Sequence, residues 1–449
     1  MPRWAQQQLS GWGRVLHADG LVARPERCAE LARLFDDPAV RTGSLLARGA
    51  GRSYGDAALN SGGATVLTGR LDRLLSFDEA SAVVVAEAGV TFSDLLRVFL
   101  PRGFMPAVVP GTGFATLGGG VANDVHGKNH HRSGSLGQHL LWFDLRLPGG
   151  ELRRVEPARD AELFCATVGG LGLTGIVERI AMPLQRVPSN AVAVRKQRMH
   201  NLDHFLDALA AAQDGSEYVV GWIDALARGQ HLGRGILETA SCAAQSVRAK
   251  PARARRLPFD APNGLLGPLT VRLFNHAYRA RVPAGGRELI LPVEQFLFPL
   301  DALYDWNRMY GRRGFHQFQC VVPFDGGAKA LRQMLEAIST TGQGSFLAVL
   351  KAMGPQGLGY MSFPMPGYTL ALDFPNAPGA TQLIGRLEGI TVEHGGRTYL
   401  AKDSTLQPDL LRTMYPQLER FEQVLAGIDP QRRMASDLAR RLRIGASGP

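Results

Sequence analysis

The stretch 111-GTGFATLGGGVANDVHGKNHH-131 decides how this chain folds. It overlaps residues 103–123, which carry no charge over 21 positions, a length sufficient for a helix that spans a bilayer. The same residues include six Gly and two Pro. At ~1 kcal/mol per Gly and ~3 kcal/mol per Pro, they would penalise a helix by roughly 12 kcal/mol relative to Ala. The stretch is therefore predicted to form a Gly-rich loop region and not a transmembrane helix.

Glycine is abundant throughout the chain. It accounts for 53 of the 449 residues, or roughly 12% against a usual ~7%. With 45% apolar and 20% charged residues, the composition is that of a globular protein with a sizeable core, and the length predicts two domains. The extra Gly indicates backbone at positive φ, or backbone packed closely against a bulky group such as a cofactor.

The net charge of +10 suits an anionic partner such as nucleic acid, a phosphorylated small molecule or an acidic membrane surface. A soluble basic protein without such a partner has the same charge. The basic stretch from Arg248 to Arg256 has no interleaved aromatic residues, which disfavours a nucleic-acid groove. A solvated face and contact with an anionic membrane are the remaining interpretations, and no nucleic acid is predicted as a partner.

The cysteines and the N-terminus indicate the compartment. The four cysteines lie far apart without any C-x-x-C spacing, so they are predicted to be core thiols and not zinc ligands or disulfides. The N-terminal stretch 1-MPRWAQQQLSGWGRV-15 lacks the apolar segment of a secretory signal. Without a signal peptide or a transmembrane helix, the protein is predicted to be cytoplasmic or peripherally associated with a membrane.

Short strands and short helices alternate over residues 1–190. Strands are predicted at 45–47, 65–68 and 82–87. Helices are predicted at 25–37 and 92–100, and a hairpin is predicted at 140–155. From residue 191 Gly becomes rarer, and the β-like runs 315–323, 345–353 and 369–375 predict a second sheet with covering helices. A helical tail is predicted over 408–443. The pattern predicts an α+β fold class.

The motif 49-GAGRSYG-55 contains G-x-S-x-G, the pattern around a hydrolase nucleophile. A nucleophile elbow must lead directly into a helix, whereas here DAALNSGG follows and breaks any helix within five residues. A turn that lays backbone N–H groups around a phosphate is therefore favoured. A serine hydrolase that uses Ser53 is kept as the alternative outside the favoured class.

Two further motifs have patterns that suggest other ligands. The run 170-GLGLTG-175 matches G-x-G-x-x-G, but a helix is predicted before it and a strand after it, the reverse of a dinucleotide fingerprint. The run 126-HGKNHH-131 spaces imidazoles four apart, yet it lacks the glutamate of H-E-x-x-H. A cationic loop near a phosphate, or an active-site base, is favoured over a metal site, and no metal is predicted.

Three Gly-rich loops, at 49–55, 111–120 and 169–175, thus occur within one α+β region. A single phosphate needs one such loop. Several loops indicate a long ligand that has a pyrophosphate and flat rings and is wrapped by backbone, and FAD fits that description.

The same motifs resemble the FAD domain of the vanillyl-alcohol-oxidase (PCMH-type) flavoproteins. The resemblance rests on 48-RGAGRSYGD-56, 110-PGTGFATLGGGVAND-124, 160-DAELFCATVGGLGLTG-175 and 399-YLAKDS-404, and it extends over nearly the whole chain. It implies two domains, with an FAD-binding domain at 1–190 and a substrate domain at 191–396 built on an antiparallel sheet. The C-terminal segment at 397–449 would return to the FAD domain.

Within that family the motifs are most similar to enzymes that oxidise the 2′-hydroxyl of a polyprenyl-phosphoryl ribose. Such enzymes act with a partner reductase to epimerise the pentose in cell-wall synthesis. The resemblance therefore implies oxidation of a secondary alcohol on a lipid-linked sugar. The alternative within the family is an aldonolactone or alditol oxidase that acts on a free sugar derivative.

The resemblance also implies roles for individual residues. Lys402 matches the essential active-site lysine, and Tyr54 and His126 match residues at the flavin face. Residues implied to contact the sugar phosphate are Lys128, Trp222, Gln317, Gln319, Lys351, Thr369 and Ala371. Residues implied to contact FAD are Gly49, Ala50, Gly51, Arg52, Ser53, Tyr54, Gly55, Gly111, Thr112, Thr116, Gly118, Gly119, Gly120, Asn123, His126, Gly127, Gly170, Gly172, Gly175, Ile176 and Tyr399.

The motifs depart from the family at the flavin attachment point. Related sugar-lactone oxidases carry G-x-G-H-S, whose His is bonded to FAD, whereas this chain has 49-GAGRS-53. Arg52 occupies the position of that His and cannot form the bond. Non-covalent FAD is therefore predicted.

Four further departures lie among the residues implied to line the substrate site. Ala371 stands where the family has a cysteine that is attacked by covalent nitroaromatic inhibitors, and Thr369, Met353 and Leu297 replace an Asn, an aromatic residue and a Tyr. Since Ala371 has no thiol, such inhibitors are expected to form no adduct at this position. Intact-protein mass spectrometry after turnover with a nitroaromatic inhibitor would show an unchanged mass, and an adduct mapped to Ala371 would contradict the prediction.

Overall fold

The computed structural model describes residues 3–248, 255–344 and 346–445. Over these ranges, none of the helices combines the length and the apolar character needed to cross a membrane. Three sheets follow one another along the chain, and each is built from strands that are consecutive in sequence.

The first sheet is formed by β1 (Ala5–Ser10), β2 (His17–Ala23), β3 (Leu45–Arg48) and β4 (Ala64–Leu67). β1 pairs with β2 antiparallel, and β4 runs parallel to β2 on one side and to β3 on the other. Helices α1 (Cys28–Leu34) and α2 (Pro38–Arg41) connect β2 to β3 and bury Leu31, Leu34 and Val40 against the sheet.

The second sheet has the strand order β5-β6-β10-β8-β9, and β7 pairs with the end of β10. Helix α3 (Phe92–Phe99) follows β6 and is capped by Thr91, because Thr91 and Asp94 exchange backbone-to-side-chain hydrogen bonds. The strands are β5 (Leu74–Asp78), β6 (Val83–Glu87), β7 (Phe104–Pro106), β8 (Trp142–Arg146), β9 (Leu152–Val155) and β10 (Ile176–Arg186).

The third sheet has eight strands in the order β14-β11-β13-β12-β16-β17-β15-β18, and every neighbouring pair is antiparallel. The strands are β11 (Ala191–Met199), β12 (Tyr218–Ile223), β13 (Gly235–Cys242), β14 (Arg287–Pro292), β15 (Phe315–Val322), β16 (Ala348–Met353), β17 (Gly367–Pro375) and β18 (Arg397–Thr398).

The remaining helices lie between and after these strands. They are α4 (Leu117–Ala122), α5 (His130–Ser133), α6 (Ala161–Thr167), α7 (Leu202–Gly215), α8 (Pro268–Ala280), α9 (Val293–Leu297), α10 (Phe324–Thr341), α11 (Ala380–Glu393), α12 (Pro408–Met414), α13 (Leu418–Ile428) and α14 (Asp437–Arg441). Short 3₁₀ turns lie at Thr68–Arg70, Leu100–Arg102, Leu136–His139, Gly229–His231 and Trp306–Tyr310.

The two faces of the third sheet have different neighbours. Because side chains alternate along a strand, Phe318 and Cys320 of β15 point into the core under α7, α10 and α11. Gln317 and Gln319, at the alternate positions, line a cavity on the other face. The strand is buried on both faces, so even its polar residues have no access to bulk water except through that cavity.

The α+β architecture confirms the predicted fold class, and the second region is an antiparallel sheet with covering helices. The predicted hairpin is the β8–β9 pair. The helix predicted at 25–37 ends earlier and continues as α2, since Pro38 disfavours helical backbone at the residue before it. The predicted tail is three helices, α12 to α14. The domain limits at 190 and 396 stay predictions, although the third sheet begins at Ala191.

The C-terminal segment packs back against the first half of the chain through Arg441. Its guanidinium forms two hydrogen bonds with the Asp56 carboxylate, at 2.8 and 2.7 Å, and a third with Asp403 at 2.8 Å. Both carboxylates are buried. Arg441 also donates to the Leu406 carbonyl at 2.7 Å, so one side chain fixes the segment that carries Lys402.

We expect Arg441→Met to destabilise the protein strongly. It would leave two buried carboxylates without their partner, at a cost of about 3–5 kcal/mol. A thermal melt should show a clearly lower midpoint. Arg420→Met is the matched control because it removes an ion pair with Glu162 whose side chains are both exposed, worth about 0–1 kcal/mol. Equal midpoints for the two variants would contradict the prediction.

Candidate active site

A cavity of about 890 Å³ is lined by the Gly-rich loops, by the inner face of the third sheet and by residues 399–402. Most of the predicted site residues lie on its wall. They are Gly49, Ala50, Gly51, Arg52, Ser53, Tyr54, Gly111, Thr112, Thr116, Gly118, Gly119, Asn123, His126, Gly127, Lys128, Gly172, Gly175, Trp222, Gln317, Gln319, Lys351, Ala371, Tyr399 and Lys402.

Three predicted glycines do not line the cavity. Gly55 packs against the Asp403 carbonyl and Gly170 against the Ala166 carbonyl, and Gly120 faces two core side chains. A Cβ at any of the three would overlap these atoms. Glycine is required at these three positions because the main chain there packs closely against other protein atoms, and not because it contacts a cofactor.

Two other predicted residues also lie behind the wall. Ile176 is fully buried in the core of the first sheet. Thr369 accepts a hydrogen bond from Gln319 Nε2 at 3.3 Å, so it can orient that amide without touching a substrate. Of the other positions at which the chain departs from the family, Leu297 lies on the wall and Met353 is buried beside Tyr399.

The loop from Gly49 to Tyr54 offers unpaired backbone donors. Within the described part of the chain, the N–H groups of Ala50, Gly51, Arg52 and Ser53 have no acceptor, whereas Tyr54 N–H donates to the Ala401 carbonyl at 3.0 Å. Successive free N–H groups form a site for an anion. A pyrophosphate is a ligand of that kind.

Three buried polar atoms on the cavity wall also lack partners among the described residues. They are Arg52 Nε, Asn123 Oδ1 and His126 Nδ1. Unpaired buried polar atoms are costly, so a polar ligand is expected to satisfy them. The free N–H groups, the unpaired atoms and the Gly-lined wall together fit FAD.

The Lys402 side chain lies on the cavity wall, next to Tyr54. Its ammonium is 3.8 Å from the centre of the Tyr54 ring. Desolvation lowers the pKa of Lys402 to about 7; the nearby Asp373 carboxylate acts in the opposite direction, and Lys351 adds to the lowering. A lysine with this pKa can both hold and release a proton near neutral pH.

Asp373 is the main residue that the sequence analysis did not single out. It is fully buried and accepts hydrogen bonds from Gln317 Nε2 at 2.5 Å and Tyr310 Oη at 2.8 Å. Burial raises the pKa of Asp373 to about 7, and the hydrogen bonds from Gln317 and Tyr310 and the charge of Lys402 oppose that rise. Asp373 lies two residues from Ala371 on β17, so the two side chains point to the same side of the sheet. This alternation is the signal in the sequence that could have identified Asp373.

A second group surrounds His126. Gln319 Nε2 lies 3.2 Å from His126 Nε2, so an imidazole that accepts this N–H carries its own proton on Nδ1. Burial keeps the pKa of His126 well below its usual value, and the ring is therefore neutral. Tyr399 packs near the same ring, and its hydroxyl donates to the Asn123 carbonyl at 3.0 Å.

Two more lysines lie on the wall without a carboxylate partner. Lys128 lies over the Phe296 ring and donates to the Phe296 carbonyl, and Lys351 donates to the Gly127 carbonyl at 3.4 Å. Desolvation lowers the pKa of each to about 8. Neither forms an ion pair in the part of the chain that the structure describes. Both are suited to an anionic substrate group.

Arg52 is held by aromatic rings. Its guanidinium lies 3.9 Å from the Trp12 ring centre, 4.8 Å from Phe114 and 5.3 Å from Tyr304. Burial lowers the pKa of Arg52, but a guanidinium keeps its charge across physiological pH. Cation–π contacts thus hold a positive charge on the wall at the position predicted to face FAD.

The run 126–131, for which no metal was predicted, does not bring its histidines together as ligands. His126 and His130 have ring centres 6.0 Å apart and meet edge to face. Among residues 3–248, 255–344 and 346–445, no group of three His, Cys, Asp or Glu side chains is placed to hold a metal ion.

Comparison with known proteins gives matches over the whole chain. A family model described as an FAD binding domain matches residues 20–156, and one described as D-arabinono-1,4-lactone oxidase matches residues 373–442. The chain is 34% identical to the decaprenylphosphoryl-beta-D-ribose oxidase of Mycolicibacterium smegmatis, and the alignment covers 98% of both chains. The chain belongs to the PCMH-type FAD-dependent oxidoreductases.

Other relatives in this family are more distant or less informative. The L-gulono-1,4-lactone dehydrogenase of Mycobacterium tuberculosis is 22% identical over 96% of this chain and 98% of its own. An uncharacterized protein of Streptomyces coelicolor is 35% identical over 79% of this chain and all of its own. The match to the FAD binding domain and the full-length similarity to the ribose oxidase show that this enzyme uses FAD and acts on CH–OH groups of sugars.

We expect FAD to be released when the enzyme is denatured. Arg52 lies on the cavity wall at the position where related sugar-lactone oxidases have the histidine that is bonded to FAD. The guanidinium of Arg52 cannot form that bond. Acid precipitation should leave the yellow chromophore in the supernatant. Chromophore retained on the polypeptide after precipitation would contradict this prediction.

Proposed function

We propose that this enzyme oxidises the 2′-hydroxyl of a polyprenyl-phosphoryl pentose to a ketone. The observation that carries the proposal is that Lys128 and Lys351, in the same cavity as Lys402, have only backbone carbonyls as hydrogen-bond partners among the described residues and form no ion pair there. A phosphoryl group would neutralise them, whereas a free alditol or lactone would leave two desolvated charges unmatched. The full-length similarity to an oxidase of a prenylphosphoryl ribose supports the same substrate class.

The alternative is an aldonolactone or alditol oxidase. Its support is the match of residues 373–442 to the D-arabinono-1,4-lactone oxidase family and the relative that acts on a gulonolactone. The matched segment contains both Asp373 and Lys402, so the proton-handling residues are compatible with either substrate. The lysines at the phosphate position favour the phosphorylated sugar.

The reaction removes a hydride and a proton from a secondary alcohol. When bound, FAD supplies the hydride acceptor. The residues of the chain must accept the hydroxyl proton and hold the sugar. Lys402 is proposed as the base, because its lowered pKa makes the neutral amine available near pH 7.

Asp373 is proposed as a positioning residue that acts through Lys402 and Gln317. Its carboxylate favours the charged form of Lys402 and so keeps the pKa of that lysine from falling further. It also fixes the Gln317 amide, whose oxygen is then left to accept a hydrogen bond from a sugar hydroxyl.

Gln319 is proposed to contact the next sugar hydroxyl. It lies on the same face of β15 as Gln317, and its amide is held between His126 and Thr369. Because alternate residues of a strand point to the same side of the sheet, the two amides can bind two hydroxyls of one sugar. Tyr54 and His126 complete the wall on the flavin side.

Two partners are proposed beyond the substrate. A reductase would reduce the ketone on the opposite face and complete the epimerisation. An anionic membrane would present the lipid-linked sugar, and contact with it was one of the two interpretations of the basic stretch from Arg248 to Arg256, the other being a solvated face. Residues 249–254 of that stretch lie outside the described part of the chain.

The substrate class is tested by anaerobic flavin bleaching. We expect prenylphosphoryl ribose to bleach the two-band visible spectrum, and free alditols and lactones to leave it unchanged at the same concentration. Bleaching by the free sugars alone would favour the alternative. A colourless protein that reacts with a fluorophosphonate at Ser53 would support the hydrolase instead.

We expect the rate of flavin bleaching to rise with pH through about 7, because Lys402 must lose its proton before it can act as a base. Asp373→Asn removes the carboxylate that raises the pKa of Lys402, so the midpoint should move to lower pH. Stopped-flow rates measured as a function of pH, for the wild type and for Asp373→Asn, check both expectations.

Lys402→Met should keep FAD and lose roughly 10²–10⁴-fold in the rate of flavin reduction. Lys329→Met, which changes an exposed lysine on α10, is the control and should keep the wild-type rate. A Lys402→Met enzyme with full turnover, or an Asp373→Asn profile with an unchanged midpoint, would contradict the assigned roles.

A further inference from the structure

We propose that α8 and the loop before it lie on an anionic bilayer, and that the lipid-linked substrate passes from the bilayer into the cavity along this helix. The contact surface, called the α8 patch, consists of Phe259, Leu265, Leu269, Leu273 and Phe274. Delivery from a bilayer rests on the proposed function, because only a polyprenyl-linked sugar resides in one.

The α8 patch is the main concentration of exposed apolar side chains on the described surface. Eleven large apolar residues are exposed there, and five of them lie between residues 259 and 274. Leu269 is 80% exposed and Leu273 is 69% exposed. Residues four apart share one face of a helix, so Leu269 and Leu273 form an exposed stripe on α8, and Leu265 lies in the turn before the helix. Clustered exposure of this kind marks an interaction site.

The opposite side of α8 is fixed to the protein. Val271 is buried, and Asn275 donates to the Asp224 carboxylate at 2.7 Å. Tyr278 packs 4.8 Å from the Trp222 ring centre. The helix is therefore an anchored element with two distinct faces, and its exposed stripe does not result from poor packing.

The same helix forms part of the cavity wall. Leu266, Thr270, Val271, Phe274 and Tyr278 all line the cavity, and Thr270 and Phe274 are also exposed to solvent. These residues therefore lie at the cavity mouth. An apolar surface that is continuous from the exposed stripe through Phe274 to the interior is a path on which a prenyl chain stays out of water.

The charges around the α8 patch favour an anionic lipid surface. Residues 255–286 contain five arginines and a single acidic residue. That residue, Asp260, is paired with Arg14 and Arg308 from outside this segment. A helix with Leu and Phe on its exposed face and Arg beside it matches the pattern of interfacial helices, and arginines near an anionic lipid surface are attracted to it. A protein partner would instead be expected to meet a less uniformly basic rim.

The test is co-sedimentation of the FAD-loaded enzyme with vesicles of equimolar phosphatidylglycerol and phosphatidylcholine. We expect the wild type to sediment with these vesicles and to bind pure phosphatidylcholine more weakly. The double variant Leu269→Glu/Leu273→Glu should bind the mixed vesicles roughly tenfold or more weakly. Leu75→Glu, at an exposed leucine on β5, is the matched control and should bind as the wild type does.

The proposal would be overturned if the wild-type enzyme stayed in the supernatant, or if the double variant bound the vesicles as tightly as the wild type. It would also be overturned if Leu75→Glu lost as much vesicle binding as the double variant. A short-tailed prenylphosphoryl ribose in solution separates this failure from that of the proposed function. Bleaching of the double variant at the wild-type rate shows that the site is intact. If no prenylphosphoryl sugar bleaches the wild type, the proposed function fails, whatever the vesicles show.

Discussion

The chemistry proposed for this enzyme depends on one constraint, which is the poor solvation of the lysines that line a single cavity. Lys128, Lys351 and Lys402 line it, and desolvation is the largest cause of the lowered pKa of each. In water the same side chains would be permanent cations with no catalytic range. The elements around the cavity thus place three amines on one poorly solvated wall that has few carboxylates.

The surrounding structure maintains that condition through contacts that are themselves buried. The Asp56–Arg441–Asp403 cluster fixes the segment directly after Lys402. On the far wall, Asp301 accepts hydrogen bonds from Thr112 Oγ1 and Gly113 N–H at 2.9 and 2.7 Å. The Arg441 cluster lies behind the wall, whereas Asp301 and Thr112 form part of the wall itself.

Much of this arrangement could be predicted from the sequence because its signals are local. Gly-rich loops, the alternation of Gln317 and Gln319, and the lysine in YLAKDS are visible without any long-range pairing. Asp373 was missed because its importance depends on the register of β15 against β17, which places it opposite Gln317. Gly55 and Gly170 were assigned to the cofactor because a local pattern cannot tell whether a glycine meets a ligand or another stretch of backbone.

The segment 399–402 joins both halves of the site by main-chain hydrogen bonds. Tyr399 N–H donates to the Gln319 carbonyl at 2.8 Å, and the Ala401 carbonyl accepts from Tyr54 N–H at 3.0 Å. A motion that separated β15 from the loop 49–55 would have to break at least one of these two bonds, because the segment 399–402 can move with only one of them. The spacing between the two sides of the cavity therefore rests on main-chain hydrogen bonds and does not depend on side-chain rotamers.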